Sequence, residues 1–446
     1  MQMNSLMTEV AANNGLARRG GRLRIAVVTP ELHRTGGTER GTAEVVERLA
    51  REHQICLFAH RWDADAEGAE TQGGSEARKR GRKAPATASA NICFHRVPVV
   101  PWPGLLRFLS FYWMASRAVD AAARRHGGFD VIYSPGPNCR QVEVCTAWFC
   151  QARQDELLRS GKLRPGAGNV SDWLRLAHRR IYAATVTRLE RTFYRSPRLR
   201  AVVSPAQVLK DDLVSCYGIE AARIVVAHAG VDAEAFGVAQ REEMRAQART
   251  ALGLGEGEFW FLFAGTDWVR KGMLTVHAAL REVPEARLLA VGPYDPASWK
   301  RHAERAGIAG RIRYLPPRRD ILFYFAAADA LVAPSVFEPF GLIPLEAMAC
   351  GLPVIITPPM GVAEIATPED AVILKHADDA AELTAAMRRV MEDPALRAKL
   401  ARNAPARARM HPWDAIYRAT EAEINAVASG EKKQNLVKPQ VNTDKH

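Results

Sequence analysis

The 446-residue chain lacks the long apolar runs of a membrane protein. No apolar stretch reaches the roughly 18 residues that a bilayer-spanning helix needs, and residues 1–21 contain no apolar core like that of an export signal. The seven cysteines are scattered and include no Cys-x-x-Cys pair, which disfavours zinc and favours free thiols in a reducing compartment. We therefore expect a cytoplasmic protein.

A convincing metal motif is also lacking. Asp63-Ala64-Asp65 has the Asp-x-Asp form, but it borders residues 64–90, which are rich in Ala, Gly, Ser and Glu and have no apolar periodicity. Such a composition favours a mobile insertion over a packed element. We assign no metal ligands.

Positive charge, in contrast, is abundant and unevenly spread. Residues 151–200 hold 12 Lys or Arg and only four Asp or Glu, which accounts for eight of the net charge of +12. Such a segment attracts polyanions, whether nucleic acid, anionic lipid or phosphorylated glycolipid. A solvated helix face is the alternative interpretation.

Two successive series of strand-like and helix-like segments run along the chain. The first begins with the apolar residues 24–29 and ends near 224–226, and the second runs from 259–264 to 371–374. Alternation of this kind predicts α/β domains with parallel sheets. We expect two doubly wound, Rossmann-like domains facing across a cleft, where ligands bind at the carboxyl ends of the strands.

The most informative segment is residues 338–346, in which Glu338 and Glu346 have seven residues between them, around a Phe-Gly-Leu turn. The apolar residues 330–333 before it read as a buried strand, and a helix follows. Carboxylates accept hydrogen bonds from sugar hydroxyls, and helix-start N–H groups suit phosphate oxygens. Those donors would be Phe340, Gly341 and Leu342. The segment predicts a nucleotide-sugar site.

With its continuation through residues 349–365, this segment resembles the retaining glycosyltransferases of the GT-B architecture, of the family-4 or group 1 type. The resemblance covers residues 24–424. It implies a first domain at 22–230, a nucleotide-sugar-binding domain at 231–410 and a helix at 411–428 that crosses back to the first domain. Residues 1–21 and 429–446 are expected to be disordered tails.

Arg270 and Lys271 follow the first strand of the second half, on a loop that opens a helix. Adjacent cations there are placed to meet a diphosphate leaving group. Thr266 stands where many family members carry Arg, and the Arg-Lys-Gly triplet resembles the lipopolysaccharide-core glucosyltransferase branch. A surface basic turn is the alternative.

Gly36, Gly37 and Arg40 follow the first strand and look like the family's first-domain glycine loop. Glycines let the backbone close on the donor's phosphate and sugar, although a glycine pair is often only a turn. Thr38 is expected to cap the helix that follows.

The resemblance assigns Glu338 to the donor-sugar hydroxyls and Glu346 to the ribose, and it implies front-face retention without a metal. In a hydrolase both carboxylates would flank one scissile bond. This alternative is disfavoured because hydrogen-bond donors suited to phosphate oxygens stand beside the two glutamates, and a hydrolase has no use for them. The donor is expected to be UDP-linked. Its sugar is left open, because carboxylates that bind sugar hydroxyls occur with glucose, mannose and N-acetylglucosamine alike. No other cofactor is expected.

One departure concerns Trp148-Phe149, which stand where many relatives have a His near the reacting sugar. We therefore name no catalytic base; His33 and His228 are the nearest alternatives, and a structural role is favoured for each.

Residues 101–116 and 171–195 combine aromatic and apolar side chains with arginines. They could pack inside the first domain or meet an anionic membrane surface and a lipid-borne acceptor. We expect a peripheral enzyme on the inner face of the cell membrane that glycosylates lipopolysaccharide core or another glycolipid. The alternatives are a soluble-acceptor transferase, a nucleotide-sugar epimerase or a basic nucleic-acid-binding protein. The last is disfavoured because no nucleic-acid motif appears.

Overall fold

The computed structural model describes residues 21–63, 91–163, 170–293 and 296–431, without the side chains of 170–179. The predicted insertion at 64–90 and the predicted tails, apart from Gly21 and residues 429–431, lie outside these ranges. Within them, none of the helices has both the length and the apolar character needed to cross a bilayer.

Among its described residues, the first domain has nine parallel strands. They are β1 (Arg24–Val28), β2 (Glu31–Leu32), β3 (Gln54–Ala59), β4 (Arg61–Trp62), β5 (Ile92–Arg96), β6 (Val131–Ser134), β7 (Val144–Thr146), β8 (Ala201–Ser204) and β9 (Ile224–Val226). Seven of them form one sheet in the order β5-β3-β1-β6-β7-β8-β9, and β2 pairs with β4. The helices are α1 (Gly37–Glu52), α2 (Gly104–His126), α3 (Gln151–Arg159), α4 (Val170–Tyr194) and α5 (Gln207–Tyr217).

The second domain repeats this plan around a six-stranded sheet. Its strands are β10 (Trp260–Ala264), β11 (Arg287–Val291), β12 (Ile312–Leu315), β13 (Ala330–Ala333), β14 (Val354–Ile356) and β15 (Val372–Ile373), in the order β12-β11-β10-β13-β14-β15. The helices are α6 (Val238–Ala251), α7 (Met273–Glu282), α8 (Ala297–Arg305), α9 (Leu322–Ala327), α10 (Leu342–Ala349), α11 (Ala380–Glu392), α12 (Pro394–Arg409) and α13 (Asp414–Ser429).

Strand β1 shows why the sheets are covered on both faces. Its alternate residues Ile25 and Val27 pack into one core cluster, whereas Ala26 and Val28 pack into another. Side chains of a strand alternate between the two faces of its sheet, and strands of parallel sheets read as continuous apolar runs when both faces are buried. The predicted α/β class with two doubly wound domains is confirmed.

Helix α13 returns from the second domain to pack on the first. The Thr420 hydroxyl lies 3.3 Å from that of Thr146 on β7, and Arg48 of α1 donates a 2.8 Å hydrogen bond to Asp414. These contacts join the two domains. The carboxyl ends of β1 and β13 border the cleft between them.

Several boundaries differ from the sequence predictions. Thr38 is not the cap of α1, because Gly36 with φ 98° makes the turn and the helix already begins at Gly37. Ser429 is not part of a tail, since it closes α13. Strand β5 was not predicted, because as an edge strand it exposes most of its residues and so lacks the continuous apolar signal.

Candidate functional site

The loop between β13 and α10 is held by backbone pairing with the following segment. The amide of Glu338 donates to the carbonyl of Pro359 at 3.0 Å, and the amide of Gly361 donates back to Glu338 at 3.3 Å. Gly341 adopts φ 98° as the cap of α10, a left-handed conformation that favours glycine. A Cβ there would also lie 3.1 Å from the Met360 methyl group.

This turn leaves backbone donors available at the start of α10. Among the described residues, the amide N–H groups of Phe340, Gly341 and Leu342 have no hydrogen-bond acceptor. The first N–H groups of a helix have no partner inside it and carry partial positive charge. The start of α10 is therefore suited to bind an anion, at the position where the sequence predicts phosphate binding.

Arg270 and Lys271 meet Glu338 directly. The Lys271 ammonium lies 2.5 Å from Glu338 Oε2, and Arg270 Nη1 lies 3.1 Å from the same oxygen. Burial alone would raise the pKa of Glu338, but the charges and hydrogen bonds of the two cations outweigh it and lower the pKa to about 2. Glu338 is therefore a carboxylate held between two cations.

Asp267 positions Arg270 from the other side, which the sequence did not indicate. Its Oδ1 accepts a 3.4 Å hydrogen bond from the Arg270 amide, and its Oδ2 lies 3.6 Å from Arg270 Nε. Among the described residues it is the one non-glycine with positive φ, 54°. Gln154 on α3 of the first domain donates to Asp267 Oδ2 at 3.4 Å, so both domains contribute to this loop.

The first-domain glycine loop lies against the same site. A Cβ on Gly37 would lie 3.8 Å from the Leu342 side chain, so the loop stands beside the start of α10. From the first turns of α1, Arg40 Nη1 donates a hydrogen bond to Glu346 Oε1. The predicted residues of the two domains therefore come together, although 306 positions separate this pair in sequence.

Glu346 is buried, and only one of its two carboxylate oxygens has a hydrogen-bond partner among the described residues. Its side chain is 2% exposed, and neither its Oε2 nor Arg40 Nε has a hydrogen-bond partner among the described residues. Burial raises the pKa of Glu346, and the charge of Arg40 opposes that rise without cancelling it. A buried acceptor without a partner is costly, so Oε2 is suited to accept a hydrogen bond from a hydroxyl group.

The structure gives Trp148 and Phe149 distinct positions. Trp148 is buried against α1, where a Cβ on Gly41 would lie 2.5 Å from its ring. Phe149 packs on Phe337 with ring centroids 5.4 Å apart and lies 5.8 Å from the Arg270 guanidinium. Phe149 therefore supports a site cation across the cleft. The sequence feature that could have indicated this role is the position of Phe149 shortly after β7 of the first sheet.

Each of the two alternative histidines has a carboxylate partner. His228 Nε2 lies 3.0 Å from Glu364, which also accepts hydrogen bonds from the amides of Gln207 and Val208 at the start of α5. His33 Nε2 lies 3.2 Å from Glu31. The structural role favoured for both rings stays a prediction. In the described ranges, one group could hold a metal, the exposed cluster His376, Asp379 and Glu382, but Asp379 there already caps α11.

Two family models match the two halves of the chain. A model described as "Glycosyltransferase Family 4" matches residues 35–235, and one described as "Glycosyl transferases group 1" matches residues 244–407. The second match contains Arg270, Lys271, Glu338 and Glu346, and the first contains the glycine loop with Arg40.

Among curated proteins, the D-inositol 3-phosphate glycosyltransferase of Streptomyces avermitilis is 31% identical over 240 residues, which cover 50% of this chain and 51% of that protein. The chain thus spans about half the length of this relative in the match.

Solved structures match over more of the length. WaaG, "a glycosyltransferase involved in lipopolysaccharide biosynthesis", gives a TM-score of 0.68 at 21% identity, covering 89% of this chain and 99% of that one. Anabaena HepE in complex with UDP and glucose gives 0.63 at 17% identity, covering 91% and 100%. Likeness at these identities establishes the fold, which is GT-B.

Proposed function

We propose that the chain is a group 1 glycosyltransferase that transfers a hexose from a nucleotide diphosphate sugar with retention of configuration. The two family models that match residues 35–235 and 244–407 and the GT-B fold support this proposal. The observation that carries the proposal is the cluster of Arg270, Lys271 and Glu338 in one cleft with Arg40 and Glu346. We propose a membrane-associated glycan or glycolipid as the acceptor, with lipopolysaccharide core as one candidate.

Each part of the donor finds a chemical counterpart in this cleft. The diphosphate would be met by Arg270 and Lys271 together with the free amides at the start of α10. Glu346 Oε2, buried without a partner, would accept a hydrogen bond from a ribose hydroxyl. Glu338 would accept hydrogen bonds from the sugar hydroxyls, because its lowered pKa keeps it ionised. We propose a UDP-linked donor.

In the proposed reaction the acceptor hydroxyl attacks the anomeric carbon on the face from which the diphosphate departs. The bond from that carbon to the diphosphate oxygen breaks, and the hydroxyl proton passes to an oxygen of the leaving group. Arg270 and Lys271 stabilise the charge that grows on the diphosphate, an effect that is largest in the transition state. Because two side-chain cations face that charge, we propose metal-independent transfer, which excess EDTA should leave intact.

The membrane-associated acceptor is supported by an exposed apolar face on the first domain. Trp102, just before α2, and Leu106, in its first turn, are 81% and 49% exposed, and Ile181 on α4 is 60% exposed. The rings of Phe108 and Tyr182, 6.5 Å apart, join the two helices. Exposed apolar side chains beside basic ones are typical of surfaces that rest on anionic lipid. We propose peripheral attachment to the cytoplasmic face of the membrane.

A soluble phosphorylated acceptor is the second candidate. It is favoured by the relative from Streptomyces avermitilis, whose name identifies D-inositol 3-phosphate as that enzyme's substrate. Retention of full activity on a water-soluble acceptor after removal of lipid by detergent would favour this candidate.

Thermal denaturation with UDP-, GDP- and ADP-sugars tests the donor assignment. A ligand at 100 times its Kd adds about 2.7 kcal/mol to the free energy of unfolding, so the correct donor raises Tm measurably. We expect UDP-hexoses to give the largest rise. NMR of the product then reports the anomeric configuration. Absence of stabilisation by all three classes, or an inverted product, would contradict the proposal.

A further inference from the structure

A groove rich in arginine lies between α3 and α4, on the first domain. Its volume is about 490 Å³, and its lining includes Arg159, Thr187, Arg188, Arg191, Thr192 and Arg195. We call it the arginine groove. The candidate donor site uses none of these residues, and the match to a family of transferases does not assign them a role.

The groove follows from the spacing of residues along α4. Arg188, Arg191 and Arg195 recur at intervals of three and four, which places them on one face of a helix. Phe193 and Tyr194, on another face, are buried in the first-domain core. Helix α3 closes the groove with Arg159, its last residue, and the Thr187 hydroxyl donates a 2.6 Å hydrogen bond to Asp155 of α3.

The arginines of the groove have no direct carboxylate partner within the part of the chain that the structure describes. No acidic side chain lines the groove, and none of its four arginines forms an ion pair with a described carboxylate. The nearby acids have other partners. Glu190 accepts hydrogen bonds from the Tyr217 hydroxyl and the Gln151 amide, Asp155 accepts one from Thr187, and Glu156 pairs with Arg153. Like charges gathered in one concavity repel one another and concentrate anions there.

We propose that the arginine groove is a second anion site, which binds the phosphate of a phosphorylated acceptor. Guanidinium groups bind phosphate oxygens in pairs through a planar fork of N–H donors. A single anionic carboxylate would leave most of these donors unused, whereas a phosphate or diphosphate presents enough oxygens to engage them.

The position of the groove favours the acceptor substrate as the molecule that carries this phosphate, an assignment that rests on the proposed function. Gln154 of α3 contacts Asp267 in the donor loop, and Arg159 lies farther along the same helix, at a rise of about 7.5 Å. A molecule seated with its phosphate in the groove can therefore reach the cleft with a hydroxyl. The groove thus fits an acceptor that carries phosphate at one end and the reacting hydroxyl at the other.

Binding of inorganic pyrophosphate to the full chain tests the site without any transfer reaction. Titration calorimetry at about 0.15 M salt would compare the unaltered protein with Arg188→Gln/Arg191→Gln and with Arg124→Gln/Arg125→Gln. The second pair removes two exposed arginines from the last turn of α2. Lys271→Ala identifies binding at the donor loop, because pyrophosphate is expected there too.

We expect the groove variant to weaken one class of pyrophosphate sites at least tenfold, while the α2 variant stays within twofold and Lys271→Ala retains that class. Equal weakening in both arginine pairs, or no saturable binding beyond the class lost in Lys271→Ala, would overturn the inference and identify a solvated basic face. Stabilisation by UDP-sugars would survive that failure, so the donor proposal is judged separately.

Sedimentation with vesicles distinguishes the source of the phosphate. Vesicles of phosphatidylcholine with or without phosphatidic acid present the same chemistry on a membrane. A groove variant that loses at least tenfold in binding to phosphatidic acid, with the α2 variant unchanged, assigns the phosphate to a lipid-borne acceptor. Equal vesicle binding by both variants, with pyrophosphate binding lost only in the groove variant, assigns it to a soluble one.

Discussion

The guanidinium of Arg40 is hydrogen-bonded to the carboxylate of Glu346 across the cleft, which joins the first domain to the proposed ribose-reading side chain. Glu346 is nearly inaccessible, and the Arg40 side chain is 22% exposed. A buried carboxylate that loses its cation keeps its desolvation cost without compensation. The pair therefore couples domain contact to the ionisation of Glu346.

Removing Arg40 alone should destabilise the protein more than removing both partners. We expect Arg40→Met to cost on the order of 3–5 kcal/mol, as for other broken buried pairs, and Glu346→Gln added to it to recover much of that loss. Thermal denaturation of the two variants and of Glu346→Gln completes the cycle. Lys399→Met is the control, since the side chains of Lys399 and its partner Glu369 are 39% and 65% exposed, and it should cost about 0–1 kcal/mol. Additive losses would refute the coupling.

The carboxyl ends of the strands explain how much of the site could be predicted. Glu338 follows β13 and Arg270 follows β10, and β10 and β13 are neighbours in the sheet, so sequence position alone brings the two side chains together. The amides at the start of α10 followed from the same reasoning, since a turn into a helix always leaves donors.

Contacts between the domains could not be predicted in the same way. The pairs Arg40–Glu346, Gln154–Asp267 and Phe149–Arg270 depend on how two separate sheets face each other, which no local pattern encodes. The Thr38 cap was wrong because Gly36 adopts φ 98°, a left-handed conformation that favours glycine, and caps the helix two residues before Thr38. The exposed face of α2 was undecided because one helix buries Phe111 and exposes Trp113.

Lys271→Ala should reduce kcat by roughly 10², by analogy with the loss of one preorganised donor. The ammonium faces charge that grows as the bond to the diphosphate breaks, so its contribution is greatest in the transition state. Steady-state kinetics at saturating donor measures this effect. Lys300→Ala removes an exposed cation from α8 of the same domain and should leave kcat unchanged. An unaltered kcat in Lys271→Ala would mean that the leaving group is stabilised elsewhere.

Glu346→Gln should act on donor binding, because a ribose lies away from the reacting carbon. The amide keeps the shape and part of the hydrogen bonding, so we expect a raised donor KM worth about 1–3 kcal/mol with kcat nearly preserved. Glu338→Gln should lose both affinity and rate, since it orients the sugar under attack. If either glutamate were a nucleophile, its variant would be inactive at saturating donor, and mass spectrometry would detect a hexose adduct.

Glu338 should also give the protein a distinctive acid sensitivity. Its pKa is lowered from 4.5 to about 2 in the folded state, so its contribution to stability is present above about pH 4.5 and is lost as the pH falls toward 2. Urea denaturation between pH 6 and pH 3 should therefore show a smaller loss in Glu338→Gln than in the unaltered protein.

Glu190 supplies a control of opposite sign for that titration. Burial raises its pKa from 4.5 to about 7, so its contribution is present below about pH 4.5 and is lost as the pH rises through 7. The free energy of unfolding should therefore differ less between pH 5 and pH 8 in Glu190→Gln than in the unaltered protein. Identical pH profiles for Glu338→Gln and the unaltered protein would contradict the ion-paired state of Glu338.

The exposed face around Trp102, Leu106 and Ile181 should control attachment to lipid. Full burial of a large apolar side chain is worth about 1.5–3 kcal/mol, and Ile181 is 60% exposed, so Ile181→Ser should weaken partitioning onto vesicles by roughly tenfold. Met410→Ser is the matched control, because Met410 is 68% exposed at the end of α12 in the second domain. Sedimentation with phosphatidylglycerol-containing vesicles would compare them. Equal effects of the two substitutions, or binding that ignores both lipid charge and salt, would exclude this face as the membrane contact, because a basic apolar surface on anionic lipid must be sensitive to both.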